Sequence, residues 1–358
     1  MQRRAGLRAG AAGAGRDLAG AGRGGDGVKA GESGGRTVPA AERPGEPSLA
    51  VQVGPWRLAT PVMPASGTFA YGREMAAWFD LRRLGALVTK GTSLRPRLGA
   101  PPPRVAETPG GLLNAVGLEN PGVDEVVARE LPWLAGLGIP VFVNVWGTSV
   151  AEYGEVAARL EGAPGVAGIE LNLSCPNVGA DGTEFGRDPR LAAAVVETAR
   201  KRTSLPLLAK LAADAPALEE VARAVEAAGA SAITLSNTLR GLAIDVRRRR
   251  PVLGRGTGGL SGPAIKPLAL CAVWEVAGRV TVPVVGVGGI RSGEDAAEFL
   301  LAGARAVQVG TANLVEPDAC LRVTEELGAL LRREGFASVE AMIGAARPGS
   351  PARGGERP

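Results

Sequence analysis

From Leu49 onward the chain alternates short runs of β-branched and aliphatic residues with longer amphipathic stretches. That rhythm predicts βαβ units around a parallel sheet. A small hairpin comes first, Val51 to Val53 and Trp56 to Leu58 around Gly54-Pro55. Candidate strands then follow at Val62 to Ala65, Ala86 to Thr89, Val141 to Val145 and Gly168 to Leu173. The series continues with Leu207 to Lys210, Ala232 to Ser236, Val284 to Val287 and Ala306 to Val309. Helical patterns separate them, among them Asp188 to Arg202, Ala217 to Ala228, Ala264 to Ala277, Gly293 to Leu301 and Glu316 to Arg333. Eight strand-helix alternations between residues 48 and 345 predict an α/β fold, a TIM (β/α)8 barrel. A doubly wound open sheet is the alternative that strand patterns leave open.

The flanks differ in kind. Residues 1–47 are Gly, Ala and Arg with scattered Ser, Glu and Pro. With so few large apolar side chains the segment cannot offset its own ordering entropy, and it is expected to be disordered. The same expectation holds for residues 346–358. Its arginines resemble a transit peptide, but Asp17, Asp26, Glu32, Glu42 and Glu46 argue against one. Two connections, Gly91 to about Asn120 and Asn237 to Gly262, are too long for simple βα loops. Both leave the C-terminal end of a strand, where barrel active sites sit, and they predict structureless lids or binding loops.

Composition narrows the chemistry. The chain has no histidine, which removes every mechanism built on an imidazole base or ligand. A general base must be Cys, Asp, Glu, Lys or Tyr. Its three cysteines, Cys175, Cys271 and Cys320, stand far apart with no C-x-x-C spacing, so no zinc or cluster motif is read and no metal is expected. The net charge of +5 collects in the N-terminal arginines and in Arg247 to Arg250. No aromatics interleave with them, so a solvated tail and loop, or a contact for an acidic protein, explain them better than nucleic acid. No apolar run approaches a membrane span, and a reduced, cytoplasmic protein is expected.

The candidate chemistry gathers at strand ends. Gly286-Val287-Gly288-Gly289-Ile290 follows the seventh candidate strand and Val309-Gly310-Thr311-Ala312 the eighth. In barrels these two loops commonly hold a phosphate, since glycine lets backbone N–H groups approach the anion. The segment Glu170-Leu171-Asn172-Leu173-Ser174-Cys175-Pro176-Asn177 delivers two carboxamides and a thiol into one loop that Pro176 stiffens. Alone, Cys175 reads equally well as a small buried hydrophobe. The flanking amides, able to donate and accept, suit a neutral amide-containing heterocycle. Asn114, Asn144, Asn237 and Thr238 add to that polar set, and Lys90 and Lys210 each end a strand facing the site.

The motifs TKGTSLRPR, NAVGLENPG, ELNLSCPNV, LSNT, GGLSGPAIKPLAL, GVGGI and VGTAN resemble those of the dihydroorotate dehydrogenase family, in the same order, over about Leu49 to Ile343. The resemblance is to the class 1B catalytic subunit. It implies FMN in the barrel mouth, against Ser66, Lys90, Gly91, Asn144, Asn172, Lys210, Ser236 and Gly262, with its phosphate at Gly288, Gly289, Gly310 and Thr311. It implies a pyrimidine against Lys90, Asn114, Ala115, Val116, Gly117, Leu118, Asn172, Asn237 and Thr238, with Asn177 as a further ring contact. The implied reaction oxidises (S)-dihydroorotate to orotate in pyrimidine synthesis: Cys175 removes the C5 proton, and hydride passes from C6 to flavin N5. Positive charge from Lys210 would stabilise the anionic reduced flavin.

Class 1B also implies electron transfer to NAD through a separate subunit carrying FAD and a [2Fe-2S] cluster, in a heterotetramer around a homodimer of catalytic chains. This chain has neither a dinucleotide G-x-G-x-x-G after its first strand nor clustered cysteines. The fumarate-linked class 1A shares the cysteine and stays as an alternative, as does another FMN-dependent pyrimidine oxidoreductase. A barrel lyase using Lys210 as a Schiff base and an inactive flavin-binding scaffold are the rivals from other classes. Three places depart from the family pattern: Ala100-Pro101-Pro102, Ala212 to Asp214, and Arg187.

Overall fold

A computed structural model of the chain describes residues 45–174 and 185–348. The expected disorder of residues 1–47 and 346–358 therefore falls mostly outside the described residues. Of the flanking residues that are described, Glu46 pairs with Arg332 at 3.3 Å, and Arg347 donates to the carbonyls of Trp274 and Ala302 at 2.7 and 2.9 Å.

In chain order the strands are β1 (Val51–Val53), β2 (Trp56–Leu58), β3 (Val62–Pro64), β4 (Leu87–Val88), β5 (Val105–Thr108), β6 (Gly111–Asn114), β7 (Val141–Val145) and β8 (Val166–Asn172). They continue as β9 (Leu207–Leu211), β10 (Ala232–Leu235), β11 (Leu239–Gly241), β12 (Ile244–Asp245), β13 (Arg250–Pro251), β14 (Gly258–Ser261), β15 (Val284–Val287) and β16 (Ala306–Val309). Eight of them form one parallel sheet in the order β3-β16-β15-β10-β9-β8-β7-β4. The Gly85 N–H donates to the Val62 carbonyl at 3.0 Å, which brings the β4 side back to β3 and closes the ring. The open-sheet alternative is thereby set aside.

The longer helices are α1 (Val150–Leu160), α2 (Pro189–Arg200), α3 (Leu218–Ala227), α4 (Lys266–Ala277), α5 (Gly293–Leu301) and α6 (Ala319–Arg333). Several begin where a side chain satisfies the first free N–H groups. Ser149 caps α1; Asp188 accepts from the Arg190 and Leu191 N–H groups ahead of Pro189 in α2; Ser292 and Asp295 form a reciprocal box at α5.

Side chains alternate across a strand, so every second residue of the barrel strands points to the axis. At the base of the barrel those positions are apolar: Met63, Val88, Phe142, Leu208, Ala232, Val285 and Ala306 belong to one buried cluster with the β1–β2 hairpin. The hairpin delivers Trp56 against Phe142, edge to face with centroids 4.8 Å apart, and its indole N–H reaches the Ala167 carbonyl at 2.9 Å. Two residues further along β4, β7, β9, β10 and β16 the inward positions turn polar, to Lys90, Asn144, Lys210, Thr234 and Gln308, and the site begins there.

The two long connections differ from the expectation of structureless lids. They pair with each other in an antiparallel sheet, order β11-β14-β6-β5, in which Leu112, Leu113 and Asn114 face Ser261, Leu260 and Gly259. Partners about 145 residues apart supply each other's ladder, and the small cluster of Leu113, Ala115 and Leu253 sits beneath it. A further hairpin, β12–β13, carries the exposed run Arg247 to Arg250, whose first two N–H groups bond to Asp245 at 3.0 Å.

Candidate functional site

A cavity of about 350 Å³ opens at the C-terminal mouth of the barrel, between the strand ends and the sheet made by the long connections. Ser66, Lys90, Gly91, Asn144, Asn172, Lys210 and Ser236 line it from the barrel. Asn114, Val116, Gly117 and Leu118 reach it from the first long connection, and Asn237, Thr238 and Gly262 from the second. Gly288, Gly289, Gly310 and Thr311 close the side beneath β15 and β16. Among the expected site residues, Ala115 alone of those described does not line the cavity: it is fully buried in the cluster under the second sheet, and its N–H donates to the Arg104 carbonyl. Cys175 and Asn177 lie outside the described residues; the chain before them ends at Ser174, just past the strand that carries Asn172.

The inward residues of the mouth form one hydrogen-bonded set. Glu170 is fully buried on β8 and accepts from Asn144 Nδ2 at 2.7 Å, Gln308 Nε2 at 2.7 Å and Thr234 Oγ1 at 3.0 Å. The Lys210 ammonium lies 3.4 Å from Glu170 Oε1, 3.3 Å from Gln308 Oε1 and 3.0 Å from Ser66 Oγ. Above this layer Asn172 Nδ2 approaches Asn144 Oδ1 at 3.5 Å, and Asn237 Nδ2 donates to Asn172 Oδ1 at 2.8 Å. Sequence reading singled out the lysine and the asparagines but passed over Glu170, Thr234 and Gln308. Period-two alternation was the available signal, because it places Glu170 on the same face as Asn172 and Gln308 on the face of Ala306.

The charges around the cavity are unequal. Lys90 lines it, and among the described residues no carboxylate takes its ammonium. Glu119, the one acid in the lining among the described residues, is drawn off by Arg104. Lys266 packs beside the glycine loops but is committed to Asp295 at 2.7 Å and Glu298 at 2.8 Å. Burial disfavours its charged form, yet these two carboxylates outweigh burial and its pKa rises. The arrangement thus offers cationic and amide groups to a polar, anionic ligand.

The glycine loops are shaped in two ways. Gly289 has φ +75° and a Cβ there would stand 2.7 Å from Lys266 Cβ, so its own backbone demands glycine. At Gly310, which lines the cavity, a Cβ would meet only Ala65 Cβ at 3.7 Å, an ordinary contact. Protein packing does not require glycine at that position; a ligand held close to the backbone would.

The two described cysteines are elsewhere. Cys320 is fully buried on α6 and its thiol pKa is pushed well up by burial. Cys271 is exposed on α4, and burial and the nearby Glu275 also raise its pKa. Neither lines the cavity. Two of the departures noted above meet on the surface, where Arg187 pairs with Asp214 at 3.4 Å.

A family profile described as dihydroorotate dehydrogenase matches residues 48–331. Among similar curated proteins, the "Dihydroorotate dehydrogenase B (NAD(+)), catalytic subunit" of Geotalea uraniireducens is 51% identical over 301 residues, which is 84% of this chain and 99% of that protein. The proteins of that name from Geobacter sp. strain M21 and Geobacter sulfurreducens are 51% and 49% identical, each over 84% of this chain and 98% of their own length.

Proposed function

Because the chain belongs to the dihydroorotate dehydrogenase family, we propose that it oxidises (S)-dihydroorotate to orotate as the FMN-binding catalytic subunit of an NAD-linked enzyme of de novo pyrimidine synthesis. The observation that carries the reading is the convergence of Lys90, Lys210, Asn114, Asn144, Asn172 and Asn237 on one cavity at the barrel mouth. The residues present suit FMN. Gly288, Gly289, Gly310 and Thr311 would hold its phosphate, with open space over Gly310, while Ser66, Gly91, Asn144, Lys210, Ser236 and Gly262 would hold its ring and ribityl chain. When bound, FMN supplies the two-electron acceptor that no side chain of this protein can provide.

The remaining work falls to the chain itself. Asn114, Asn172, Asn237 and Thr238 offer the donors and acceptors that a pyrimidine ring with two amide-like edges requires. Lys90, with no acid partner among the described residues, is placed to meet the substrate carboxylate and the cofactor edge. Val116, Gly117 and Leu118 cover the ring and exclude water, and Asn177 adds a contact from the loop after β8. Cys175, as in the family, takes the C5 proton; histidine is absent and neither Cys271 nor Cys320 lines the cavity.

The name catalytic subunit, borne by the relatives, implies a partner subunit. In our reading that partner carries FAD and a [2Fe-2S] cluster, two catalytic chains form the centre of a heterotetramer, and the assembly works in the cytoplasm. No helix among the described residues is long and apolar enough to cross a membrane, in keeping with that reading. The test is anaerobic mixing of the FMN-loaded chain with dihydroorotate. Bleaching of the flavin with one orotate formed per flavin is expected, followed by turnover with NAD only when the partner is added. A flavin left oxidised by dihydroorotate, or turnover with fumarate and no partner, contradicts it.

A further inference from the structure

We propose that Glu170 is the positioning residue that sets the polarity of the site: this buried carboxylate locks the inner end of the relay Asn144–Asn172–Asn237 and tempers the charge of Lys210. The proposal rests on the reading of the cavity as an FMN and pyrimidine site.

Glu170 sits between the apolar base and the ligand cavity, and its four partners come from four other strands, β7, β9, β10 and β16. An ionised carboxylate only accepts. Each amide that touches it must therefore turn its NH2 group inward and its oxygen away. Gln308 does so, and its oxygen receives the Lys210 ammonium at 3.3 Å. Asn144 does so too, and its oxygen is left facing Asn172 Nδ2 at 3.5 Å. Asn172 must then show its oxygen outward, where it accepts from Asn237 Nδ2 at 2.8 Å. Asn237 in turn accepts the Thr238 N–H at 2.9 Å.

The chain of amides is thus closed at both ends by groups that cannot reverse, a carboxylate inside and a backbone N–H outside. Only one orientation of Asn144, Asn172 and Asn237 satisfies every link. Those three amides line the cavity beside Asn114, so the donor and acceptor pattern they offer depends on a residue that does not itself line it. The charge argument runs in parallel. Lys90 and Lys210 both face the cavity and Glu119 is occupied by Arg104, so Glu170 is the acid that offsets one of the two ammonium groups.

The experiment uses full-length FMN-loaded protein and two variants. Glu170→Gln keeps shape but removes the charge and can donate; a second donor then meets Asn144, Gln308 or Thr234 head to head, and the relay, still held at its outer end by the Thr238 N–H, is strained at its inner end. Its expected results are an FMN midpoint potential higher by about 30 mV, a tenfold change in the reduced-to-oxidised ratio of a two-electron couple, and an orotate Kd at least tenfold weaker. Glu170→Asp keeps the charge but cannot reach both Asn144 and Gln308; it should hold the wild-type potential while still losing orotate affinity. It also serves if Glu170→Gln does not fold. Either variant, folded, with the potential and orotate Kd of wild type overturns the proposal alone. Wild-type protein that binds neither FMN nor orotate overturns the reading of the site, and the proposal falls with it.

Discussion

The base and the mouth of this barrel are built from the same strands two residues apart, and they do opposite work. At the base, Phe142 and Leu208 pack under a hairpin whose Trp56 lies over Gly168, where a Cβ would stand 2.8 Å from the indole ring. At the mouth, the next inward residues of the same strands are Asn144, Glu170 and Lys210, and they hold one another by hydrogen bonds. Apolar burial at the base is non-directional and tolerates volume-conserving exchange. A buried polar set is specific in direction, and leaving one member unpaired is costly. Along the barrel axis, apolar packing fills the base and the chemistry gathers at the mouth, while a larger apolar layer lies between strands and helices.

Changes at each end should separate these roles, and the largest separation is expected at Cys175. Replacing it by Ala should slow flavin reduction by dihydroorotate by roughly 10²–10⁴, the usual contribution of a general base. Melting temperature and FMN affinity should stay at wild-type values. Rapid-mixing spectroscopy reads the rate, and an unchanged rate would remove Cys175 from the reaction.

Trp56→Ala attacks the opposite end. Losing a buried aromatic of this size costs about 3–5 kcal/mol, to be read as a lower denaturation midpoint with FMN and orotate affinities unchanged in the folded fraction. A loss of ligand affinity without a loss of stability would break the distinction between base and mouth.

The smallest effect concerns acid stability near the base. Glu161 accepts from the Ser204 hydroxyl at 2.6 Å, the Ser204 N–H at 2.7 Å and the Thr203 hydroxyl. These bonds, with the Ser204 hydroxyl first, lower its pKa from 4.5 to about 2. A carboxyl depressed in the folded state stabilises above its unfolded pKa and loses that stabilisation as pH falls through the folded one. Wild type should thus lose stability between pH 4.5 and about 2 more steeply than Glu161→Gln. Parallel melting curves for the two proteins across that window would deny Glu161 this role.

Much of this plan is legible along the chain because local pattern and tertiary role agree. The mostly aliphatic runs of β7, β9, β15 and β16 are buried on both faces, and such strands announce themselves as largely apolar stretches. The hairpin around Gly54-Pro55 is equally plain, since its alternation and turn lie within eight residues. The second sheet is not, because β6 and β14 are short, Gly-containing and far apart in sequence, and the sheet is continuous only because the two pair. Among site residues, Lys210 and the asparagines stand out as polar groups ending apolar runs. Glu170 and Gln308 do not, since a single acid or amide within a strand acquires meaning only when donors from other strands close on it.

The most direct test of the mouth as a flavin site is the FMN Kd of Gly310→Ala, measured by fluorescence titration of the apoprotein beside its melting temperature. The added methyl fits the protein's own packing, with only Ala65 Cβ at 3.7 Å, and sits on a glycine that lines the cavity where the phosphate is proposed to bind. A wild-type melting temperature with FMN affinity at least tenfold weaker is the predicted result. FMN bound as tightly as by wild type would contradict the account.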